Sequence, residues 1–273
     1  EPVEIGMGKV HCLMYADDLI LLSESAQGLQ NSLNILSNYC SIWKLEINHA
    51  KSKVILFEPR KQPCTFQFSI GSITLERVYM YNYLGIIIDY KGDLTQAKTD
   101  LYLRAQKAYF KLRKLLNIDI IKPKLYLEIF DRTVVPILNY GSELWGTFNI
   151  KTKKYKQLQN PEYMYEDFQG EKLQTKLCKI LLGVNQKTSN LATRAELGRY
   201  PLMITTLSNM LSYRSRLENL ETNDLLKGSF NDDFLLHNHG LSTWYSCTEE
   251  IMRCTNINKD YIRRVTPKTV RKK

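Results

Sequence analysis

In the stretch HCLMYADDLILLS, residues 11–23, two adjacent carboxylates, Asp17 and Asp18, interrupt a run of apolar side chains. Like charges set where their neighbours favour burial repel each other and lose hydration, so something must compensate them. One candidate is a divalent cation. Mg2+ prefers carboxylate oxygens together with substrate phosphates, and paired Mg2+ ions can activate an attacking hydroxyl while stabilising the leaving oxygen in phosphoryl transfer. The other reading is a solvent-facing Asp-Asp turn with no metal. On these residues alone the two stand level.

The elements around the pair follow from apolar spacing. Residues 10–15 and 19–23 read as two short buried strands meeting at Ala16, Asp17 and Asp18. Leu29, Leu33, Leu36, Cys40 and Trp43 then recur on one face of a helix capped by Ser23 or Ser25. Residues 53–57 predict a strand. FQFSIGSITLERV predicts a hairpin whose Gly71-Ser72 turn sets Ile70 opposite Ile73 and Phe68 opposite Leu75. YNYLGIIID, 81–89, reads as one strand. Asp93 and Gln96 have capping-box spacing, and Leu94, Ala97, Leu101, Ala105, Ala108, Leu112 and Leu115 form a helical stripe behind them. Helices are expected at about 123–145 with a kink at Pro136, at 168–182 and at 201–220, with Gly183 and Gly198 as C-terminal caps. The polar span 149–167 reads as an exposed connection, and signals weaken after about 221. The expected class is α+β followed by an all-α region.

The totals bound what such a chain can do. With 273 residues and 44% hydrophobic composition it can bury one large core or two smaller ones. Its longest apolar runs are too short to span a bilayer, which needs about 20 residues. No signal segment opens the chain, and Glu rather than Met at position 1 reads as a fragment. Six cysteines without any C-x-x-C pair read as reduced thiols. His237, His239, Cys247 and Cys254 could ligate zinc, but their spacing lacks the closely paired cysteines of structural sites, so the cluster reads as accidental. Lys and Arg outnumber Asp and Glu by 38 to 28, a formal charge of +10 that favours nucleic acid first and an anionic membrane surface second. The excess concentrates at 98–114 and at 253–273, where eight basic residues face Asp260 alone. A solvated charged face accounts for either run taken singly.

The order of motifs carries a resemblance. YADD between apolar strands, a helix, WKLEINHAKSKVILF, YLGIIID, LTQAKTDLYLRAQKAYFKLRKLL, VVPILNYGSELWG, LCKILLGV and AELGRYPL together resemble the reverse transcriptases of LINE-type non-LTR retrotransposons over about 9–220. That resemblance implies a C-terminal polymerase palm at 1–92, built of antiparallel hairpins with a packed helix. It also implies a mostly helical thumb at 93–220, with a weakly ordered basic segment at 221–273. Tyr15, Ala16, Asp17 and Asp18 match the catalytic palm turn, which makes Asp17 and Asp18 Mg2+ ligands and sets Tyr15 and Ala16 near the primer end. Leu45, Ile47, Asn48 and Lys51 match the next motif, with Ser52 where the family usually has Thr, and Lys51 would approach the triphosphate. Tyr83, Leu84 and Gly85 match the hairpin that grips the primer. Arg104, Lys107, Lys111 and Lys114 would hold the backbone of an RNA template and DNA primer. The family acts on deoxynucleoside triphosphates inside the cell, in nucleus and cytoplasm. The sequence itself carries no signal for an oligomeric state.

One departure matters. Such a polymerase needs an earlier palm aspartate and nucleotide-binding fingers, and only sixteen residues precede Asp17, with Glu1 and Glu4 as their acids, neither in a suitable strand. Three readings follow. The chain is a polymerase portion inactive alone, a non-catalytic nucleic-acid-binding retroelement relic, or a degenerate fragment with no stable fold.

Overall fold

The computed structural model describes residues 1–57, 64–146, 168–221 and 225–255, the last without the side chains of Cys254 and Thr255. The chain divides into two units, Glu1–Asp93 with Leu220–Leu235, and Leu94–Asn219 with Leu236–Lys273.

The first unit is mixed α/β and built from two-stranded pairs. β1 (Val3–Ile5) and β2 (Gly8–Val10) form one antiparallel hairpin, and β3 (Cys12–Tyr15) and β4 (Asp18–Leu21) a second. α1 (Ala26–Trp43) follows, with Ser25 as its N-cap accepting from the Gly28 N–H at 3.0 Å. β5 (Lys53–Val54) pairs in parallel with β8 (Glu76–Arg77). Between them β6 (Ser69–Ile70) and β7 (Ile73–Thr74) make the predicted hairpin, with Ile70 opposite Ile73 and the Leu75 N–H donating to Phe68 O at 2.8 Å. The 81–89 segment is not one strand. It folds back as β9 (Met80–Tyr83) and β10 (Ile86–Asp89), because Leu84 and Gly85 both adopt positive φ.

The core of this unit is small: Leu33, Val54, Phe68, Ile70 and Leu75, with Leu21, Leu29 and Ile47 packed around them. The α1 stripe is accordingly only half buried. Leu33 and Cys40 face inward, whereas Trp43, expected to be buried, is 64% exposed beside Tyr39. A second contact ties the late segment to the start of the chain. Gly6, at φ 58°, lies so close to Gly228 that a Cβ on it would stand 2.7 Å from the Gly228 Cα, and its N–H donates to Asp232 Oδ2 at 2.6 Å.

The second unit is helical. α2 (Thr95–Leu115) begins one residue later than the Asp93 capping box predicts, and buries Ala97, Leu101, Ala105, Tyr109 and Leu112. α3 (Pro123–Thr133) starts on a proline, which suits the first turn. The expected kink at Pro136 is a break at Val134 between α3 and α4 (Val135–Leu138), with the proline in the first turn of α4, and α5 (Ser142–Trp145) follows. α6 (Gln169–Leu181), α7 (Asn190–Glu196), α8 (Leu202–Glu218), α9 (Leu225–Asn238), most of which belongs to the first unit, and α10 (Trp244–Thr255) complete the described chain. Residues 225–255 thus form two helices where sequence signals are weak, while the 149–167 connection and the 256–273 tail lie outside the described residues. Gly183 and Gly198 end α6 and α7 with positive φ, as predicted.

Tyr109, Tyr126, Phe130, Val134 and Leu177 form the largest core. Two charged groups buried inside this unit are met differently. Arg214 is fully buried, held by Glu218, Glu249 and Thr248 and lying 4.4 Å over the Tyr245 ring. Glu171 is 1% exposed, and its Oε1 accepts from the Met203 N–H at 2.8 Å while its Oε2 has no partner.

Burial pushes the Glu171 carboxyl up from 4.5 to about 7. A carboxyl raised on folding binds its proton more tightly in the folded state, so its contribution to stability is present below the unfolded value and is lost as pH rises towards the folded one. Unfolding free energy is expected to fall by up to about 3 kcal/mol between about pH 4.5 and 7. Glu171→Gln, which keeps the acceptor for Met203, is expected to flatten that slope, as read from urea unfolding across this range.

Candidate functional site

The β3–β4 hairpin sets Tyr15 opposite Asp18 and leaves Ala16 and Asp17 as a two-residue turn. Ala16 sits at φ 53°, the left-handed region, which costs an L side chain about 1 kcal/mol and recurs at functional turns. Asp17 and Asp18 are both exposed, as is Tyr15. This corrects the expectation of two buried strands. Leu13, Met14 and Leu19 are also open to solvent, Met14 by 73%, because the unit's small core reaches only the Leu21 end of the hairpin. The carboxylates therefore keep their hydration, and their compensation need not come from the chain itself.

The donor set decides which metal chemistry fits. Among the described residues no third His, Cys, Asp or Glu joins Asp17 and Asp18. Two carboxylates suit one Mg2+ whose shell is completed by phosphate oxygens and water, and fall short of the set that a two-metal centre needs. Glu4 does not supply the missing group. It lies in β1 opposite Lys9, 3.8 Å from that lysine's Nζ. His237, His239 and Cys247 form no metal-holding group among the described residues, and the side chain of Cys254 lies outside them.

Lys51 stands on a turn organised by Asn48, whose carbonyl accepts from the Lys51 and Ser52 N–H groups at 3.1 and 3.0 Å. The Asn48 Oδ1 accepts from the Lys51 N–H as well, at 3.1 Å. The Tyr81 hydroxyl of β9 donates to Lys51 O at 2.9 Å. One hydrogen bond therefore fastens the lysine turn to the β9–β10 hairpin, a link that spacing gives no sign of. Leu84 (φ 48°) and Gly85 (φ 83°) occupy the tip of that hairpin, with Tyr83 opposite Ile86. The structure brings Lys51 together with the Tyr83–Gly85 hairpin, but no hydrogen bond or ion pair joins Asp17 or Asp18 to Lys51 or Tyr83.

In the helical unit Lys107, Lys111 and Lys114 are exposed on one side of α2, off its buried stripe. Arg104 differs, since it pairs with Asp100 one turn earlier and part of its charge is met within the helix. Among the described residues no helix is long and apolar enough to cross a membrane.

Residues 2–88 match the family described as reverse transcriptase (RNA-dependent DNA polymerase). The chain is 34% identical over 140 residues to an uncharacterized transposon-derived protein of Caenorhabditis elegans, an alignment covering 50% of this chain and 49% of that relative. It is 32% identical over 147 residues to the "Probable RNA-directed DNA polymerase from transposon BS" of Drosophila melanogaster, covering 48% of this chain and 16% of the relative. A 24% identity over 151 residues links it to the "Probable RNA-directed DNA polymerase from transposon X-element" of the same fly, at 51% of this chain and 16% of the relative. The alignments thus span about half the length of the first relative and 16% of the other two. No solved structure matches the chain. The similarity to reverse transcriptases of LINE-type non-LTR retrotransposons, predicted by motif order, is borne out.

The strained hairpin tip yields a test. A β-turn that needs positive φ at both central residues favours Asn over Leu at the first. Leu84→Asn is expected to raise the stability of the first unit by about 0.5–1 kcal/mol, measured as a shift in the urea midpoint with unchanged slope.

Proposed function

We propose that the chain is the C-terminal palm and thumb portion of an RNA-directed DNA polymerase of a non-LTR retroelement. Residues 1–92 would be the end of the palm with its primer-grip hairpin, 93–220 the helical thumb, and 221–273 a basic C-terminal segment. The observation that carries the reading is the hairpin tip within the matched segment 2–88, where a two-residue turn holds Asp17 and Asp18 side by side in solvent.

In the complete protein the reaction is addition of deoxynucleotides to a DNA primer on an RNA template. When Mg2+ is bound, it supplies activation of the primer hydroxyl and neutralisation of the triphosphate charge. Asp17 and Asp18 act as its ligands, with Tyr15 and Ala16 against the primer end. Lys51, on its Asn48-ordered turn, offers an ammonium to the triphosphate. Tyr83, Leu84 and Gly85 grip the primer strand, and because Tyr81 ties their hairpin to Lys51 O, primer grip and triphosphate contact are expected to move as one piece. Lys107, Lys111, Lys114 and, more weakly, the Asp100-paired Arg104 hold the template-primer backbone through sequence-independent phosphate contacts. Because no third carboxylate joins the pair among the described residues, the segment alone is expected to be inactive.

A second reading is a nucleic-acid-binding relic that uses the same α2 cations and leaves Asp17 and Asp18 idle. It is favoured by the absence of a third acidic ligand beside the pair among the described residues.

Both readings require phosphate contacts from α2, so binding tests them against a degenerate fragment. Affinity for an RNA–DNA hybrid, followed by fluorescence anisotropy from about 50 to 200 mM KCl, is expected to fall steeply with salt. The triple variant Lys107→Gln, Lys111→Gln, Lys114→Gln is expected to reduce the log–log salt slope by about 2–3. Binding that ignores both salt and the triple change would remove the nucleic-acid reading.

A further inference from the structure

A cavity of about 180 Å³ opens between α6 and α7, in the helical unit and apart from the residues discussed above for template and primer. Lys172, Lys176 and Lys179 of α6 line it, and fall within about 60° of the helix surface because positions i, i+4 and i+7 share a face. Arg194 of α7 lines it as well, with Thr175 and Glu171 in the same wall. Four cations thus meet one carboxylate around a space large enough for a tetrahedral oxyanion.

Two of those cations are expensive to keep there. Lys179 and Arg194 are each only 6% exposed. Neither forms an ion pair among the described residues. Lys179 Nζ donates to the Gln186 carbonyl at 2.7 Å, and Arg194 Nη1 to Thr175 Oγ1 at 3.3 Å, both neutral acceptors. Arg194 Nε is buried with no hydrogen-bond partner at all. Burying a cation without a counter-charge costs several kcal/mol, so a chain that converges two of them, with two exposed lysines alongside, has built a place for an anion. Glu171 is the apparent objection. Its Oε1 is taken by Met203, and burial raises its pKa to about 7, so around neutrality a share of it is the neutral carboxyl, able to donate from Oε2.

We infer that this cavity is a phosphate-binding site, in which Lys172, Lys176, Lys179 and Arg194 hold a phosphate group by charge-assisted hydrogen bonds and Arg194 Nε supplies an oriented donor. The phosphate belongs either to a free phosphate or nucleotide, or to the backbone of a nucleic acid. The inference does not rest on the polymerase reading: the cavity's chemistry would be the same in a relic with no catalytic history.

The test uses the full chain at constant ionic strength, set with NaCl. Lysine acetylation followed by mass spectrometry reads protection of Lys172 and Lys176 as inorganic phosphate, deoxyadenosine monophosphate or a short DNA oligonucleotide is titrated in. Saturable protection by inorganic phosphate and the monophosphate alone assigns the site to free phosphate, and protection by the oligonucleotide assigns it to a backbone. Either outcome supports the site. By calorimetry, Lys172→Gln with Lys176→Gln, whose side chains are exposed and leave the core intact, is expected to weaken phosphate affinity about tenfold with an unchanged Tm. Absence of saturable protection by any of the three probes overturns the inference, as does equal phosphate affinity in the double variant.

Discussion

A two-residue turn leaves little slack: with Tyr15 opposite Asp18, Ala16 takes the positive φ that the favoured hairpin turns use, and Asp17 stands beside it at the hairpin tip. The rest of the functional account depends on that constraint. It fixes two carboxylates beside each other, and among the described residues no side-chain hydrogen bond holds them, so backbone geometry sets their position there. It also explains why they are exposed. The unit's core of Leu33, Val54, Phe68, Ile70 and Leu75 sits beneath the far end of the hairpin, and the tip projects beyond it. Carboxylates left in water retain their hydration and stay available to a cation that arrives with phosphate oxygens of its own.

The same reasoning separates what was legible in the sequence from what was not. Short-range rules worked well. Gly71 marked its hairpin, Ser25 its helix cap, and Gly183 and Gly198 their helix ends, because each depends on neighbours a few residues away. Burial was misread where it depends on what lies across the fold. The apolar residues of β3, β4 and the Trp43 end of α1 predict burial by composition, yet the described chain offers no surface to cover Met14 or Trp43. The β9–β10 turn was hidden for another reason: Leu84 is a poor residue for positive φ, so YNYLGIIID looks continuous until the backbone folds it.

The candidate site was legible as a set of motifs and not as a constellation. Two adjacent carboxylates in an apolar run drew attention to Asp17 and Asp18, and the family resemblance pointed to Lys51 and the Tyr83–Gly85 tip, but neither predicts that the Tyr81 hydroxyl binds Lys51 O and joins two of those motifs. The polar interior of the helical unit was missed for the same reason. Arg214 with Glu218 and Glu249, and Glu171 with Met203, are pairings across helices that no periodicity announces. Arg214 is buried with carboxylate partners, whereas Lys179 and Arg194 form no ion pair among the described residues, donate to the neutral acceptors Gln186 O and Thr175 Oγ1, and line a cavity together with Glu171, which is why that cavity stands out chemically.

The central proposal is that this chain carries half of a polymerase centre, with Asp17 and Asp18 as metal ligands and a further carboxylate to be supplied from outside the hairpin. Primer extension on an RNA template, with a DNA primer, deoxynucleoside triphosphates and Mg2+, tests it most directly. The account predicts no extension by the chain alone. Extension by the chain alone that disappears in Asp17→Ala would contradict it, because the two carboxylates of this hairpin would then suffice.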